Sequence, residues 1–330
     1  MKISKYYPLI PVYAAYLILF LVGRTVPGTW QLVAMLAFYC AVGQAFNIFL
    51  GMTGYVDFGY VAFIALCTYG MSLVISSFYQ EGLGIGMIFI GLVLGGLMGA
   101  LLSLAVGAVA LRLRGAYFAI ATIGVNEGFR YLVEGAKIWG GSKGIIFSGQ
   151  LREAFGRETA SLLSTFWADI GVIVIAAIAA FVTLYYIRGR IGYALMALRE
   201  DEDAAKVMGI NVTKYKIIAF ITSASFAGLV GSMAWALKLT YVFPGDVFQI
   251  SYTIECIIIV LIGGAGTLLG PILGGLVYGL SKYWLTVILP GFQLLIFAPI
   301  IIIIIILFPE GVIGIVKRTV KGTALERYIV

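Results

Sequence analysis

The chain turns from apolar to charged over Arg188-Gly-Arg-Ile-Gly-Tyr-Ala-Leu-Met-Ala-Leu-Arg-Glu-Asp-Glu-Asp-Ala-Ala-Lys-Val-Met-Gly-Ile-Asn-Val-Thr-Lys-Tyr-Lys216. Long hydrophobic runs that predict membrane spans lie on both sides of this stretch. Its centre has the length of a short helix, because acidic residues open it at Glu200 and Gly209 supplies a stop. A small apolar surface follows the acids, made of Ala204, Ala205, Val207 and Met208. We therefore predict one short helix over residues 197–212, lying across the membrane face.

The composition of the chain predicts a membrane protein. Hydrophobic residues occupy 62% of its 330 positions and charged residues 11%, whereas soluble domains carry about 25% charged residues. Backbone groups in lipid must bond within the protein, so only helices and closed barrels span a membrane. The apolar runs are too long for barrel strands and lack period-two alternation. We predict an all-α, polytopic membrane protein with about ten spans, Gly-rich interruptions and a cytoplasmic coupling helix.

Ten segments are candidates for helical spans. They cover residues 8–23, 31–50, 56–77, 84–111, 115–133, 167–187, 215–237, 252–263, 270–289 and 292–308. We predict one transmembrane domain over 1–330, with an external loop at 134–166, a cytoplasmic coupling segment at 188–216 and a cytoplasmic tail at 309–330. Within the external loop, the amphipathic stretch 150–164 predicts a short surface helix.

The basic residues decide the orientation, because positive charge is enriched in short cytoplasmic loops. With the N-terminus inside, 14 of the 22 Lys and Arg residues fall on the interior side. They are Lys2, Lys5, Arg112, Arg114, Arg188, Arg190, Arg199, Lys206, Lys214, Lys216, Lys317, Arg318, Lys321 and Arg327. An even number of spans then places both termini in the cytoplasm. The net charge of +7 reflects this topology and does not predict nucleic-acid binding.

Two glycine-rich interruptions separate hydrophobic segments. The first is Gly51-Met-Thr-Gly54-Tyr-Val-Asp-Phe-Gly59, and the second is Gly263-Gly264-Ala-Gly266-Thr-Leu-Leu-Gly270-Pro271. Transporters break helices at paired positions, where freed backbone groups and helix ends face a solute. Two tight loops are the alternative, and the residues alone leave both open.

Small residues recur every four positions in two predicted spans. They are Gly91, Gly95, Gly99, Ser103 and Gly107 in the fourth span, and Ala224, Gly228 and Ser232 in the seventh. Because no hydrophobic force drives helices together in lipid, small residues favour association by letting backbones approach closely. We predict tight helix packing at both stripes, with sliding surfaces during transport as the alternative.

Polar residues within or beside the predicted spans are candidates for functional positions, because they are costly in lipid. They are Asn47, Asp57, Asn126, Glu127, Arg130 and Glu255. Glu127 and Arg130 stand three residues apart on one helix face, so we predict that they neutralise each other. Asn47 and Asp57 flank the first interruption, where they either bond freed backbone groups or touch the solute.

Several kinds of chemistry find no support in the sequence. Histidine is absent, which removes the commonest metal ligand and general base, and we predict neither a metal site nor catalytic residues. Three isolated cysteines in apolar stretches give no disulfide framework. The acidic run at 200–203 suits the positive end of a helix rather than catalysis. The chain also lacks a Gly-x-x-x-x-Gly-Lys-Ser/Thr phosphate loop. If ATP powers this protein, another chain hydrolyses it.

Several motifs together carry a family resemblance. In the coupling segment they are Arg190-Ile-Gly192, Ala197-Leu-Arg199-Glu200-Asp201-Glu202, Ala204-Ala205 and Gly209-Ile210-Asn-Val212. Elsewhere they are Asp57-Phe-Gly59-Tyr60, Leu111-Arg-Leu-Arg-Gly-Ala-Tyr-Phe-Ala-Ile120, Gly140-Gly-Ser-Lys-Gly144 and the second glycine-rich interruption. Taken together they resemble the branched-chain amino acid ABC permeases of LivM type, over roughly residues 35 to 316.

The resemblance implies a multi-subunit importer in a prokaryotic cytoplasmic membrane. The chain would pair with a paralogous permease of LivH type, and an extracytoplasmic binding protein would deliver branched-chain amino acids. Two ATPase subunits would hold ATP and magnesium, so this chain needs no cofactor of its own. The residues expected to contact the ATPase are Ala197, Arg199, Glu200, Asp201, Glu202, Ala204, Ala205, Gly209 and Ile210. An ABC permease for urea or short amides and an ion-coupled secondary transporter are the alternatives.

Overall fold

The computed structural model describes residues 6–288, 299 and 311–320, which are largely helical. The helices are α1 (Leu9–Thr25), α2 (Trp30–Phe46), α3 (Tyr60–Phe78), α4 (Ile85–Ala110), α5 (Ala116–Gly135), α6 (Ser148–Phe155), α7 (Arg157–Leu162), α8 (Ala168–Ile187), α9 (Arg190–Glu200), α10 (Glu202–Val207), α11 (Val212–Gly231), α12 (Pro244–Val247), α13 (Ile250–Gly263), α14 (Gly270–Ile288) and α15 (Gly311–Val320). Short strands β1 (Ile145–Ile146) and β2 (Tyr241–Val242) pair in antiparallel fashion. The prediction of an all-α, polytopic membrane protein is confirmed.

Three helices continue through wider π-helical turns. These are α2 through Asn47–Gly51, α7 through Leu163–Trp167, and α11 through Ser232–Leu237. Such turns are often found at functional positions. The first of them leads directly into the first glycine-rich interruption.

Six helical stretches in the described ranges are long and apolar enough to cross a membrane. They are Trp30–Gly51, Tyr60–Phe78, Ile85–Ala110, Arg157–Ile187, Val212–Leu237 and Pro244–Gly263. Helix α1 is apolar but shorter. The total of ten spans stays a prediction, since the segment 292–308, apart from residue 299, lies outside the described residues. In the predicted tail, 309–310 and 321–330 also lie outside them.

Two predicted segments have different boundaries in the structure. The surface helix predicted at 150–164 is wrong as a single helix, because Gly156 adopts a φ of +77° and separates α6 from α7. Helix α7 then leads into α8, so the apolar stretch begins at Arg157 rather than at 167. The stretch that contains the eighth predicted span is longer at its start, where Pro244 opens α12. Proline suits a first helical turn because its missing N–H has no partner there.

The chain divides into two compact units. The first unit comprises Met1–Gly54, Ala176–Ile210 and Glu255–Val330, and the second comprises Tyr55–Ile175 and Asn211–Ile254. In the first unit α14 packs along α2, and in the second α3, α4 and α11 pack together.

The small-residue stripes lie at the contact between α4 and α11 in the second unit. All five stripe positions of α4 are buried, whereas Leu101 on the same helix is 65% exposed. A Cβ atom at Gly99 would lie 2.6 Å from the carbonyl oxygen of Ala224, and one at Gly228 would lie 2.9 Å from the carbonyl oxygen of Gly95. The two backbones therefore approach more closely than any larger side chain allows, as the stripes predict.

Glycines of α14 make the same kind of contact with α2 in the first unit. A Cβ atom at Gly275 would lie 2.7 Å from the backbone nitrogen of Cys40, and one at Gly279 would lie 2.7 Å from Cδ2 of Leu36. Both glycines are buried. Close backbone approach therefore holds α2 beside α14, and this places the end of α2 near the start of α14.

We expect Gly99→Leu to lower the thermal unfolding midpoint by several degrees, because overpacking of this kind costs about 1–3 kcal/mol. Gly124→Leu is the matched control, since nothing lies within 4 Å of a Cβ atom at Gly124 in α5. The measurement is thermal unfolding in detergent followed by size-exclusion chromatography. Equal midpoints for the two variants would contradict the packing described for α4 and α11.

Candidate functional site

The first interruption begins where α2 ends. Gly54, with a φ of +74°, donates its N–H to the carbonyl oxygen of Leu50 at 2.9 Å. A positive φ favours glycine because it has no Cβ atom. The last carbonyl groups of a helix have no partner within it. The carbonyl of Gly51, at the end of the π-turn, is therefore open to a donor from another segment.

The second interruption is a turn closed by one hydroxyl group. It follows α13, and Gly264 and Gly266 adopt φ values of +118° and +81°. Thr267 Oγ1 donates to the carbonyl oxygen of Gly264 at 2.8 Å and accepts from the N–H of Gly270 at 3.1 Å. The same side chain therefore closes the turn and caps the start of α14.

Asn47 joins the two interruptions. Its Nδ2 donates to the carbonyl oxygen of Thr267 at 2.9 Å, and its Oδ1 accepts from the N–H of Gly266 at 2.8 Å. Its side chain is fully buried. A Cβ atom at Gly51 would lie 2.5 Å from the nitrogen of Gly266, so glycine is what allows the two turns to meet. These hydrogen bonds correspond to the first of the two roles predicted for Asn47, and contact with solute stays a prediction.

Arg199, from the coupling segment, completes this group. Its Nη1 donates to the carbonyl oxygen of Gly51 at 2.6 Å and to that of Ala265 at 3.4 Å. We call the set the break cluster, and it consists of Asn47, Gly51, Arg199, Ala265, Gly266 and Thr267. All of its members belong to the first unit. The paired glycine interruptions and the charged segment, which were separate features of the sequence, therefore meet at one place.

The helix predicted over 197–212 is wrong as a single helix. The chain breaks at Asp201, whose φ of −153° and ψ of 114° are extended. The Asp201 Oδ1 atom accepts from the N–H groups of Asp203 at 2.8 Å and Ala204 at 3.0 Å. This is an N-cap, which competes with continuation of the preceding helix. Glu200 therefore ends α9, and Asp201 caps the start of α10 at Glu202.

Helix α10 also has an ordered end. The N–H of Gly209 donates to the carbonyl oxygen of Lys206 at 3.0 Å, and the N–H of Ile210 donates to that of Ala205 at 3.0 Å. Gly209 adopts a φ of +82°, so this is the Schellman arrangement that closes a helix. Lys206 Nζ lies 3.1 Å from Glu202 Oε1 along the same helix. Both ends of this short helix are therefore fixed.

The side chains of α10 and the residue after it divide between the protein and the surface. Ala205 is buried, whereas Val207 is 87% exposed and Met208 is 82% exposed. Of the predicted apolar surface, Ala205 therefore packs inward, and Val207 and Met208 project outward together. Two adjacent exposed apolar side chains on an ordered turn are suited to contact with another protein.

Comparison with known proteins identifies the family. The profile of the branched-chain amino acid transport system permease component matches residues 27–306. The chain belongs to this permease family. The match includes both glycine-rich interruptions and the whole coupling segment, so the break cluster lies within the part that the family shares.

Individual relatives agree with this assignment. The chain is 28% identical to the high-affinity branched-chain amino acid transport system permease protein LivM of Escherichia coli K12, over 92% of this chain and 73% of that protein. The LivM protein of Salmonella typhimurium LT2 matches to the same extent. The LivH protein of Escherichia coli K12 is 21% identical over 84% of this chain and 91% of its own length. No solved structure gives a significant match. The resemblance to LivM-type permeases is confirmed.

Asp57 of this permease bonds backbone groups at the start of α3. Its Oδ1 accepts from the N–H of Gly59 at 2.8 Å. Thr122 Oγ1 accepts from the N–H of Phe58, and Thr253 Oγ1 accepts from the N–H of Val61, each at 3.0 Å. Side chains from three segments of the second unit therefore accept hydrogen bonds from N–H groups at the start of α3. No earlier helical turn offers these N–H groups a carbonyl acceptor. The hydrogen bond of Asp57 corresponds to the first of its two predicted roles, and contact with solute stays a prediction.

Asn126 and Glu127 lie on α5, also in the second unit. Asn126 is fully buried, and its Nδ2 donates to the carbonyl oxygen of Phe248 at 3.1 Å. Arg130 Nη1 lies 3.3 Å from Glu127 Oε2, as the spacing predicts. Arg130 Nε also lies 3.0 Å from Glu134 Oε1. Because these groups are partly exposed and Arg130 has two acidic neighbours, the ion pair is a weak stabilising element.

Glu255 has a partner that the sequence analysis missed. Lys282 Nζ, one helix later on α14, lies 2.6 Å from Glu255 Oε1, and both side chains are mostly buried. The ammonium group also lies 5.4 Å from the ring centroid of Tyr39. A paired, buried glutamate is the expected arrangement for a charge within a membrane protein. Within the described ranges, no group of three or more acidic or cysteine side chains is placed to hold a metal ion.

We expect Asn47→Ala to reduce stability by about 2–4 kcal/mol, because it leaves the Gly266 N–H and the Thr267 carbonyl without their partner. Gln44→Ala is the matched control. It removes an equally buried amide from the same helical stretch, and the Nε2 of that amide donates to Thr183 Oγ1 at 3.1 Å. The measurement is equilibrium unfolding in mixed micelles. A loss no larger than that of Gln44→Ala would contradict the bridging role of Asn47.

Proposed function

We propose that this chain is one of the two membrane-spanning subunits of an ATP-binding cassette importer and forms part of the pathway for branched-chain amino acids. Its family and its similarity to LivM permeases along 92% of its length support the proposal. The names of those relatives describe high-affinity branched-chain amino acid transport. The similarity to LivH supports pairing with a paralogous permease subunit.

The observation that carries the proposal is the exposed end of α10. Val207 and Met208 stand almost fully exposed in a charged segment, on a turn fixed by hydrogen bonds at both ends. Exposed apolar side chains grouped in this way mark contact sites for other proteins. A groove on a soluble ATPase that receives a short amphipathic helix would cover them. The ATPase pair would supply ATP, magnesium and the hydrolytic chemistry.

The distribution of charge supports an orientation of the chain in the membrane. Lys and Arg residues cluster in the coupling segment and in the tail, so the positive-inside rule supports a cytoplasmic location for both. We propose that the membrane is the cytoplasmic membrane of a prokaryote, since the LivM relatives come from Escherichia coli and Salmonella typhimurium. On its outer side an extracytoplasmic binding protein would deliver the solute and would carry most of the selectivity.

We expect the complete importer, reconstituted in vesicles with its ATPases and binding protein, to accumulate leucine, isoleucine and valine when ATP is supplied. Coupling to ATP is expected because the resemblance to ABC permeases implies separate ATPase subunits, and the exposed side chains at the end of α10 offer them a contact. Radiolabelled uptake is measured with excess unlabelled urea or acetamide as competitor. Competition by these compounds would favour a permease for urea or short amides. Accumulation driven by an ion gradient without the ATPases would identify a secondary transporter.

Val207→Asp combined with Met208→Asp is expected to weaken ATPase association at least tenfold, because two carboxylates would have to be desolvated in an apolar contact. Ile138→Asp is the matched control, since Ile138 is 72% exposed and lies in the predicted external loop. The measurement is the amount of ATPase recovered with the purified permease, together with leucine uptake. Normal recovery with the double variant would show that the end of α10 is not the docking site.

A further inference from the structure

Arg199 differs from the other charged residues of the coupling segment in what it contacts. Four acidic residues follow it directly, at positions 200–203. Within the described part of the chain, none of the ion pairs includes Arg199. Its guanidinium instead donates to the carbonyl oxygens of Gly51 and Ala265. A solvated charge would be expected to pair with the neighbouring acids, so these contacts need another explanation.

The two carbonyl groups belong to different interruptions of the transmembrane part. Gly51 lies 148 positions before Arg199 at the end of the α2 π-turn, and Ala265 lies 66 positions after it in the turn beyond α13. Carbonyl groups at the end of a helix carry partial negative charge, which a cation stabilises. A single cationic group therefore bonds both the end of the helical stretch that continues α2 and the turn that follows α13.

Glycines leave space for this guanidinium group. A Cβ atom at Gly266 would lie 2.8 Å from Arg199 Nη1 and 2.8 Å from the carbonyl oxygen of Gly51. A Cβ atom at Gly54 would lie 3.3 Å from Arg199 Cγ. Both glycines also have positive φ values. One glycine from each interruption therefore lies directly against Arg199, which indicates that the interruptions are shaped around it.

Arg199 is also close in sequence to the proposed docking turn. It occupies the last turn of α9, and α10 begins three residues later, at Glu202. The only residue between these two helices is therefore Asp201, whose side chain is hydrogen-bonded to the start of α10. A displacement of α10 would therefore also move Arg199, because one hydrogen-bonded residue connects the two helices.

We propose that Arg199 is the positioning residue that transmits movement of the coupling segment to the paired interruptions. Movement of α9 and α10 displaces the guanidinium group, and the ends of α2 and α13 move with it as a pair. Asn47 keeps the two turns in register, because it bonds to the second turn from the first. This inference rests on the proposed function, since it assigns the link between ATPase and pathway to one side chain.

The test uses Arg199→Gln and Arg199→Lys in the complete importer in vesicles. Arg199→Gln is expected to assemble, and its basal ATP hydrolysis is measured so that transport can be expressed per ATP hydrolysed. Stimulation of hydrolysis by the liganded binding protein should be lost, and the leucine transported per ATP hydrolysed should fall at least tenfold. Arg199→Lys keeps a cationic donor but lacks the planar guanidinium, so its transport per ATP should be intermediate. Arg190→Gln, an equal charge change at the other end of α9, should behave like the wild type.

Each result separates this inference from simpler roles. Normal transport per ATP in an assembled Arg199→Gln importer overturns the inference and leaves the proposed function standing. If Arg199→Gln does not assemble, Arg199→Lys decides: assembly with reduced transport per ATP supports the inference, and assembly with unchanged transport per ATP overturns it. Failure of both variants to assemble also overturns it, because Arg199 then acts only in folding. A wild-type importer without ATP-driven uptake contradicts the proposed function instead.

Discussion

The structure depends on the requirement that backbone N–H and carbonyl groups inside a membrane find partners within the protein. A continuous helix meets this requirement by itself, but a glycine-rich interruption does not. At the second interruption, the hydroxyl of Thr267 bonds one group on each side of the turn. Asn47 and Arg199 bond groups that the turns leave open. At the start of α3, the donors are satisfied by Asp57, Thr122 and Thr253. These polar side chains therefore serve as hydrogen-bond partners for backbone groups at the breaks in the helices.

Short polar side chains meet this requirement only where helices lie close together. Gly275 and Gly279 bring α14 against α2 in the first unit. In the second unit, the glycines of α4 bring α4 against α11. An asparagine side chain extends only a few bonds from the backbone, so the contacts of Asn47 need the turn before α14 to lie against the end of α2. Close packing through small residues and bonding of the interruptions are thus parts of one arrangement.

Local patterns in the sequence predicted a large share of this fold. The helical class, the stripe on α4 and the spacing of Glu127 and Arg130 each depend on neighbours within a few residues. The partners of Asn47 and Arg199 could not be predicted in this way, because they lie 220 and 148 positions away. Lys282, the partner of Glu255, was missed for the same reason, since it lies on a later helix.

The sequence contained a signal for the division of the coupling segment into two helices. Asp201 is followed by two further acids, as expected for an N-cap and a first helical turn. The apolar pattern that continues past Asp201 favoured a single helix instead. Which of Ala205 and Val207 is buried could not be predicted until this division was known. The break at Asp201 changes which side chains of the following helix share a face.

The hydrogen bonds at the two ends of α10 bear on the stiffness of the coupling segment. A helix of six residues has little stability of its own and would ordinarily fray. Here the Asp201 side chain fixes the first turn and the Gly209 turn fixes the last. If the ends of α10 frayed, a force on the helix would unfold a turn. A helix whose ends are both hydrogen-bonded instead moves as one rigid body. Its backbone amides should therefore exchange slowly with solvent even though its side chains are exposed.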